Sequence, residues 1–571
     1  MTLESRLDSL AQGWRGPLVA AFIAFLAGLP GLMAMPPLDR DESRFAQATA
    51  QMLESGDFVS INLQDKSRDK KPVGIHWMQA AVVAAVSEVE NRDIWPYRIP
   101  SLLGAMLAAA ACAWGARPFF GARTALLAGV MFGASFLLST EAFIAKTDAV
   151  LAGCTTLAMA ALARLYAEAR GLEPAGKRVR LALWLGIAFG VLVKGPVILM
   201  VVGLGLLALW LWDRKGLGSG WMKGLGWGWG LLLVLAVFGP WALAISVATD
   251  GGFWGAAIGG DLAPKLAGGH ERHGGPFGYH LLLSPLLVFP ATLLLPAGLA
   301  LGWRARAEPG VKFALCWLIP TWLMFELLPT KLAHYSLPAH GALFWLMAAA
   351  LREPLGKVSR IAGAVLAAVA ALGFAAITIG LMAEYGDEPD LTWTAVTAGL
   401  FLIAGLVSVI LVLRRASLTG VLLAGVIGVL AHASFFGQFG PRLEPLWSSQ
   451  RIAMALERTG LDPRVGRTPG PVEVAGYSEA SLVFALGTRT GLGGPEDAVR
   501  ALAEGRPAIV EKREQAEFQQ LLKEAGIAPK PVLTLSGFNY SNGDPMTLTF
   551  YQGLPRSTDP TSQPATEGPA R

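Results

Sequence analysis

Apolar runs separated by short charged clusters recur from Pro17 to Phe436, and most of them approach the roughly 20 residues that cross about 30 Å of hydrocarbon. A chain patterned this way is a polytopic α-helical membrane protein. The runs fall at 17–35, 97–116, 124–140, 148–167, 181–193, 196–212, 225–247, 277–303, 311–328, 336–351, 361–382, 392–413 and 418–436, which gives about thirteen spans. Charged residues make up 16% of the chain and the mean hydropathy is +0.48, against roughly 25% charge in ordinary globular chains. A soluble multidomain enzyme is therefore excluded. The first run follows Arg6 and Arg15, but Met33-Ala34-Met35 before Pro36 makes a poor cleavage site, so a retained first helix is expected.

Loop charge orders the spans across the bilayer, because cytoplasmic loops are enriched in Lys and Arg. Alternate loops carry Arg117 and Arg123; Arg164, Arg170, Lys177, Arg178 and Arg180; Arg214, Lys215 and Lys223; Arg304, Arg306 and Lys312; Arg352, Lys357 and Arg360; and Arg414 with Arg415. These loops are expected to face the cytoplasm. The opposite loops hold Asp41, Glu42, Asp65, Asp69, His76, Glu141, Asp148, Asp250, His273 and Asp387, so any chemistry is expected on the outer face. The formal net charge of +5 comes without a basic stripe, which argues against nucleic acid as a partner. Cys112, Cys154 and Cys316 all lie in apolar runs without CxxC spacing and read as packing residues.

Residues 1–439 thus form a transmembrane domain with a first outer loop at 36–98, and 440–554 turn to a soluble pattern. Strands are expected at 472–475, 508–511, 532–535 and 547–551, with helices at 478–486, 495–503 and 514–525, a small α/β domain placed outside by an odd number of spans. The stretch 555–571 is rich in Pro, Ser and Thr and is expected to be disordered.

The first outer loop holds two apolar helical patterns. Phe45, Ala48, Met52 and Leu53 share one face of a helix over 42–55 that stops at Gly56 and is expected in the membrane interface; a second helix spans 75–86. Asp41 stands at the start of the first, where an Asp commonly caps. Between the two lies Asp65-Lys-Ser-Arg-Asp-Lys-Lys-Pro, which on composition alone reads as a solvated turn. Lys146 and Lys194 read either as snorkelling side chains or as functional cations. The break at Gly195-Pro196 favours function for Lys194, since irregular backbone at membrane depth is tolerated only beside protein or a wet cavity.

The series Asp41-Glu-x-Arg-Phe, Met52-Leu-x-x-Gly-Asp-Phe, Lys71-Pro and His76-Trp, continued by Lys146-Thr-Asp148, Leu192-Val-Lys-Gly-Pro196, His273-Gly-Gly-Pro-Phe277 and Lys331-Leu-Ala-His-Tyr335, resembles the GT-C class of polyprenyl-phosphate-sugar-dependent glycosyltransferases. The lipid A aminoarabinose transferases resemble it most, the protein O-mannosyltransferases more distantly. Gly476-Tyr-Ser-Glu-Ala-Ser-Leu-Val-Phe resembles the outer domain of the same family. The resemblance implies a GT-C fold and transfer of a sugar from a polyprenyl (undecaprenyl) phosphate donor to a periplasmic acceptor such as lipid A, lipopolysaccharide, another glycan or protein. It also implies a bacterial inner membrane location, with the N-terminus cytoplasmic and the C-terminal domain periplasmic.

A leaving phosphate tethered to lipid needs preorganised cations at the outer membrane surface. Arg44, Lys70, Lys71, Lys146, Lys194 and Lys331 are the candidates, with Tyr335 beside the carrier phosphate or in an interfacial aromatic belt. Asp41 is the first candidate to orient or deprotonate the acceptor and Asp148 the second, a helix cap being the other reading of Asp148. Glu42 and His76 belong to the same motifs. The aminoarabinose transferases carry a Glu before Lys-Pro that binds zinc together with a His. Here Lys70 stands in that place, and a charged Lys is no metal ligand. No cofactor is certain, and a zinc site would have to be built from His273 with Asp69. The competing function is a polytopic lipid or sugar transporter, which would favour repeats and binding groups near the midplane.

Overall fold

The computed structural model describes residues 3–38, 40–214, 216, 218–264, 274–465, 469–539 and 542–554. His273 and the expected disordered stretch 555–571 lie outside the described residues. The chain forms two compact units, Met1–Leu443 and Glu444–Arg571.

In the first unit, apolar sequence becomes helix because backbone groups in lipid have no partner but one another. The helices that build it are α1 (Arg15–Ala34), α2 (Asp41–Ser55), α3 (Gly74–Val86), α4 (Trp95–Gly133), α5 (Phe136–Ala142), α6 (Thr147–Ala169), α7 (Lys177–Lys194), α8 (Val197–Asp213), α9 (Trp227–Ala248), α10 (Tyr279–Leu287), α11 (Leu295–Arg304), α12 (Pro309–Leu327), α13 (Leu337–Ala349), α14 (Lys357–Tyr385), α15 (Leu391–Leu413) and α16 (Ser417–Ser434). Among the described residues, eight helical segments are long and apolar enough to cross a membrane by themselves. The shorter α7, α8 and α13 pack against them. The expected spans 97–116 and 124–140 correspond to two helical stretches of α4, separated at Gly121, whose backbone is not helical (φ 80°, ψ 167°). The expected single run 277–303 is divided into α10, a short turn and α11.

Small residues bring the central helices together. Ala20 and Ala24 of α1 interlock with Ala109 and Ala113 of α4, a contact that close-packed membrane helices favour because no bulky side chain separates the backbones. The apolar face of α2 holds Ala48 and Met52, and it packs against Val73, Leu192 and Trp241, so protein covers the face that the spacing assigns to the interface. At one end of the bundle, buried Asp213 ties three helices. It accepts from the Tyr166 hydroxyl at 2.6 Å, Arg170 at 2.7 Å and Lys312 at 2.7 Å. With its three donors in place, this buried carboxylate avoids the cost of an unpaired charge.

The second unit carries a four-stranded sheet in the order β3-β4-β6-β5, where β3 is Glu473–Ala475, β4 Ala508–Glu511, β5 Pro531–Phe538 and β6 Pro545–Tyr551. β3 and β4 are parallel; β6 runs antiparallel to both β4 and β5. Alternation along β4 sends Ile509 into one core with Val474, Leu548 and Phe550, and Ala508 with Val510 into another with Leu502 and Phe518. A helix over Ser448–Thr459, for which the sequence reading made no provision, supplies Ile452 and Leu456 to the first of these cores.

Candidate active site

A buried ion pair fixes the start of the first loop. The Arg98 guanidinium forks onto Glu42, Nε to Oε1 at 2.9 Å and Nη2 to Oε2 at 2.8 Å, with both side chains fully buried. Arg98 also donates to the carbonyls of Gly31, Leu32, Met35 and Pro36, which satisfies acceptors that the end of α1 leaves open. Glu42 in turn accepts from the backbone N–H of Leu38 and of Ala145, each at 2.8 Å. Glu42 is thereby committed to structure, and it ties the first residues of α2 to the segment that carries Lys146.

Asp41 occupies the first position of α2 and makes no capping hydrogen bond there. Its carboxylate lies instead 3.8 Å from Arg68. A two-residue hairpin, β1 (Asn62–Leu63) with β2 (Lys66–Ser67), presents Arg68, whose N–H donates to the Ile61 carbonyl at 2.7 Å. The Arg68 guanidinium and the Lys71 ammonium both lie over the Phe45 ring, at 4.6 and 5.2 Å from its centroid, a cation–π arrangement. Buried His76 supports that ring from a centroid distance of 5.4 Å and is held by the Thr49 hydroxyl at 2.8 Å.

Opposite them stands a second set of charges. Lys146 meets Glu141 at 3.0 Å and Asp148 at 3.7 Å, and Lys194 meets Asp148 at 2.5 Å. The His334 ring lies 3.7 Å from both Glu141 and Asp148, and Lys194 sits 5.7 Å from the centre of the Tyr335 ring. Asp148 lies in the first turn of α6, past the N-cap residue Lys146, and both lysines turn to carboxylates rather than to the lipid boundary. The cations Arg68, Lys71, Lys146 and Lys194 therefore face three carboxylates, Asp41, Glu141 and Asp148. Among the described residues, Lys71 has no carboxylate within ion-pairing distance.

The field of these groups is visible in their proton affinities. Burial pushes the Lys71 ammonium down to about 8, reinforced by Lys194 and partly opposed by Asp41 and Asp148. Burial alone would raise the Asp41 carboxyl, but Lys71 and Arg68 outweigh it and hold the group below the usual carboxylate range. His334 is pushed down to about 3 by burial and Lys146, so its imidazole is neutral at physiological pH.

Two glycines allow these halves to meet. A Cβ on Gly74 would lie 2.6 Å from the Leu192 carbonyl oxygen, so α3 can approach α7 only without a side chain there. Gly195 takes φ 62° directly after Lys194, a conformation that glycine adopts without steric cost. Gly74→Val is expected to destabilise the protein by about 1–3 kcal/mol through overpacking and to slow transfer by spreading Lys71 from Lys194; thermal melting and rate per folded molecule measure the two effects.

The remaining sequence candidates form no ion pair with this cluster among the described residues. Lys331 is buried, and its ammonium donates to the Leu328 carbonyl at 2.9 Å. Arg44 is half-buried on α2 and forms no ion pair among the described residues. Lys70 is exposed, and Asp69 accepts from the Ser67 hydroxyl.

The chain is similar to known proteins along most of its length. A family model for dolichyl-phosphate-mannose-protein mannosyltransferase matches residues 40–251, the stretch from Asp41 past Lys194. The chain is 27% identical over 536 residues to an undecaprenyl phosphate-alpha-4-amino-4-deoxy-L-arabinose arabinosyl transferase of Pectobacterium carotovorum, covering 89% of this chain and 92% of the relative. A homologue of that name in Pectobacterium atrosepticum is 28% identical over 67% of this chain and 69% of its own length. Among solved structures, ArnT from Cupriavidus metallidurans in the apo state superimposes with a TM-score of 0.71 at 20% identity, covering 93% of this chain and 96% of that one. The chain is a membrane glycosyltransferase with a GT-C fold. The same ArnT has been solved bound to undecaprenyl phosphate, with a TM-score of 0.71 at 19% identity. These likenesses give no support to a transporter.

Three members of the transferase's charged cluster escaped selection from sequence. Arg68 lies within the run 65–72, where neighbouring charges mask it as a solvated turn. His334 lies inside the Lys331–Tyr335 motif, between the two residues chosen from it, and Glu141 was assigned to the outer side without a role. Exposed Lys70 adjoins Asp69, which accepts from the Ser67 hydroxyl, and among the described residues no three His, Cys, Asp or Glu side chains are grouped so as to hold a metal ion. His273 lies outside the described residues.

Proposed function

We propose that the charged cluster is the site of sugar transfer from a polyprenyl (undecaprenyl) phosphate donor, with Arg68, Lys71, Lys146 and Lys194 around the carrier phosphate and Asp41 directed at the acceptor. The carrying observation is the surplus cation: Lys71 stands in the cluster without an anionic partner among the described residues, as a site for an incoming phosphate would require. The acceptor oxygen attacks the anomeric carbon from the face opposite the phosphate, the carbon–oxygen bond to the phosphate breaks, and the electron pair departs on the carrier phosphate. The four cations stabilise that developing charge in a largely desolvated setting. Asp41 orients the acceptor oxygen and takes its proton where the acceptor is a hydroxyl. Asp148 and Glu141 hold Lys194 and Lys146 in place, with neutral His334 between the carboxylates. Each step is carried by side chains of this chain, and none is routed through a metal.

The cluster faces the periplasm in this reading, with the N-terminus cytoplasmic, the second unit periplasmic and the chain in a bacterial inner membrane. Support comes from the loop charges, since Lys177, Arg178, Lys223, Arg304 and Arg414 all belong to the opposite set. The acceptor is a lipid, glycan or protein on that side.

Titration of Lys71 tests the assignment. The empty site holds its proton only up to about pH 8, whereas a bound phosphate anion favours the protonated form. The complex therefore retains more protons than the free protein, and rising pH must weaken binding. Affinity for polyprenyl phosphate is expected to fall toward about tenfold per pH unit above that point, the slope of one linked proton. Lys71→Gln should lower affinity at neutral pH and flatten the profile. A wild-type profile that is level through this range, or an unaltered affinity in the variant, removes Lys71 from the phosphate site.

A further inference from the structure

We propose that a second lipid site, for the headgroup of an anionic glycerophospholipid, lies at the end of α7 remote from Lys194. At 1.5 Å per residue, the 18 residues of α7 separate the two ends by about 27 Å. A cleft of about 550 Å³ opens there between the start of α7, the turn Gly220–Leu225 and the start of α9, lined by Lys177, Arg178, Arg180, Lys223, Leu181 and Trp229. Its cations divide into two kinds. Arg180 is fixed, its guanidinium donating to the Gly224 carbonyl at 2.8 Å and pairing with Glu168 at 3.2 Å. Lys177, Arg178 and Lys223 are exposed and have no carboxylate partner among the described residues.

The floor is built. Buried Trp184 donates its indole N–H to the Leu225 carbonyl at 2.8 Å and meets Trp227 edge-on at 5.6 Å between ring centres. The walls identify the occupant as a lipid rather than a free anion. Only 11% of the apolar window of α9 is buried, so this helix turns its surface to acyl chains directly beside the cleft. Trp227 and Trp229, each 43% exposed, and Leu181 line that boundary. Indole rings settle at the headgroup level of a bilayer, where basic side chains attract anionic lipid. Phosphate to the three unpartnered cations and chains along α9 is the arrangement that satisfies both surfaces.

Native mass spectrometry of the full chain in detergent, titrated with phosphatidylglycerol or phosphatidylcholine, tests this site. Wild-type protein should retain phosphatidylglycerol preferentially. The variant K177Q/R178Q/K223Q should lose on the order of a hundredfold in phosphatidylglycerol affinity, as loss of three interfacial cations implies, with phosphatidylcholine retention unchanged. R304Q/R306Q, on a different basic loop, should keep the preference. Should the triple variant fold poorly by thermal melting, Lys223→Gln alone should give a reduction of about fivefold. The site is overturned if the folded cleft variants retain phosphatidylglycerol as wild type does, if R304Q/R306Q loses as much as they do, or if millimolar inorganic phosphate displaces the lipid fully.

Discussion

Asp41→Asn should lower sugar transfer by about 10²-fold or more while leaving the amount of folded protein unchanged. The substitution preserves side-chain shape and removes the charge. Asp41 makes no cap on α2 and its ion-pair distance to Arg68 is long at 3.8 Å, so little of the fold depends on it. The loss should appear in the rate at saturating donor more than in donor binding, because the carboxylate is directed at the acceptor in the proposed arrangement. Lys71 and Arg68 keep this carboxyl ionised at neutral pH, so the wild-type rate should show no acid limb from Asp41 above about pH 5. The measurement is mass spectrometry of glycolipids and glycoproteins from cells with and without the variant, normalised to expressed protein. Unchanged products would remove Asp41 from the mechanism.

Arg98→Met should cost about 3–5 kcal/mol, the usual penalty for stranding one member of a buried ion pair. The variant leaves the Glu42 carboxylate fully buried with only its two backbone donors, and four carbonyls near the end of α1 lose their shared donor. Thermal melting in detergent should register the loss. Restoring charge balance with Glu42→Gln in the same chain should recover part of it, but the carbonyls would remain unsatisfied. A single variant as stable as wild type would show that water or another side chain replaces the guanidinium.

Local sequence made the membrane helices legible because hydropathy is a property of each segment taken alone. Their interruptions were unevenly visible: the break between 97–116 and 124–140 falls at Gly121, as expected, whereas 277–303, which reads as one run, divides in two. The motif at Asp41 and the lysines at 71, 146 and 194 could be selected from pattern and sidedness. Their partners could not, since Lys194 meets Asp148 across 46 positions of chain and no local signal specifies such a contact. Arg68 was hidden in a run whose composition suits exposed turns. Glu42 stood beside Asp41 in the same motif, and only the packing of α1 against α4, which delivers Arg98, separates the structural acid from the one left within the charged cluster.

The surplus of positive charge around Lys71 has a kinetic corollary. A loaded carrier is a phosphodiester with one negative charge, whereas the spent carrier is a phosphomonoester that approaches two at neutral pH. Electrostatics that welcome the first must clasp the second more firmly, so departure of the used lipid, rather than glycosidic bond formation, would govern steady-state throughput.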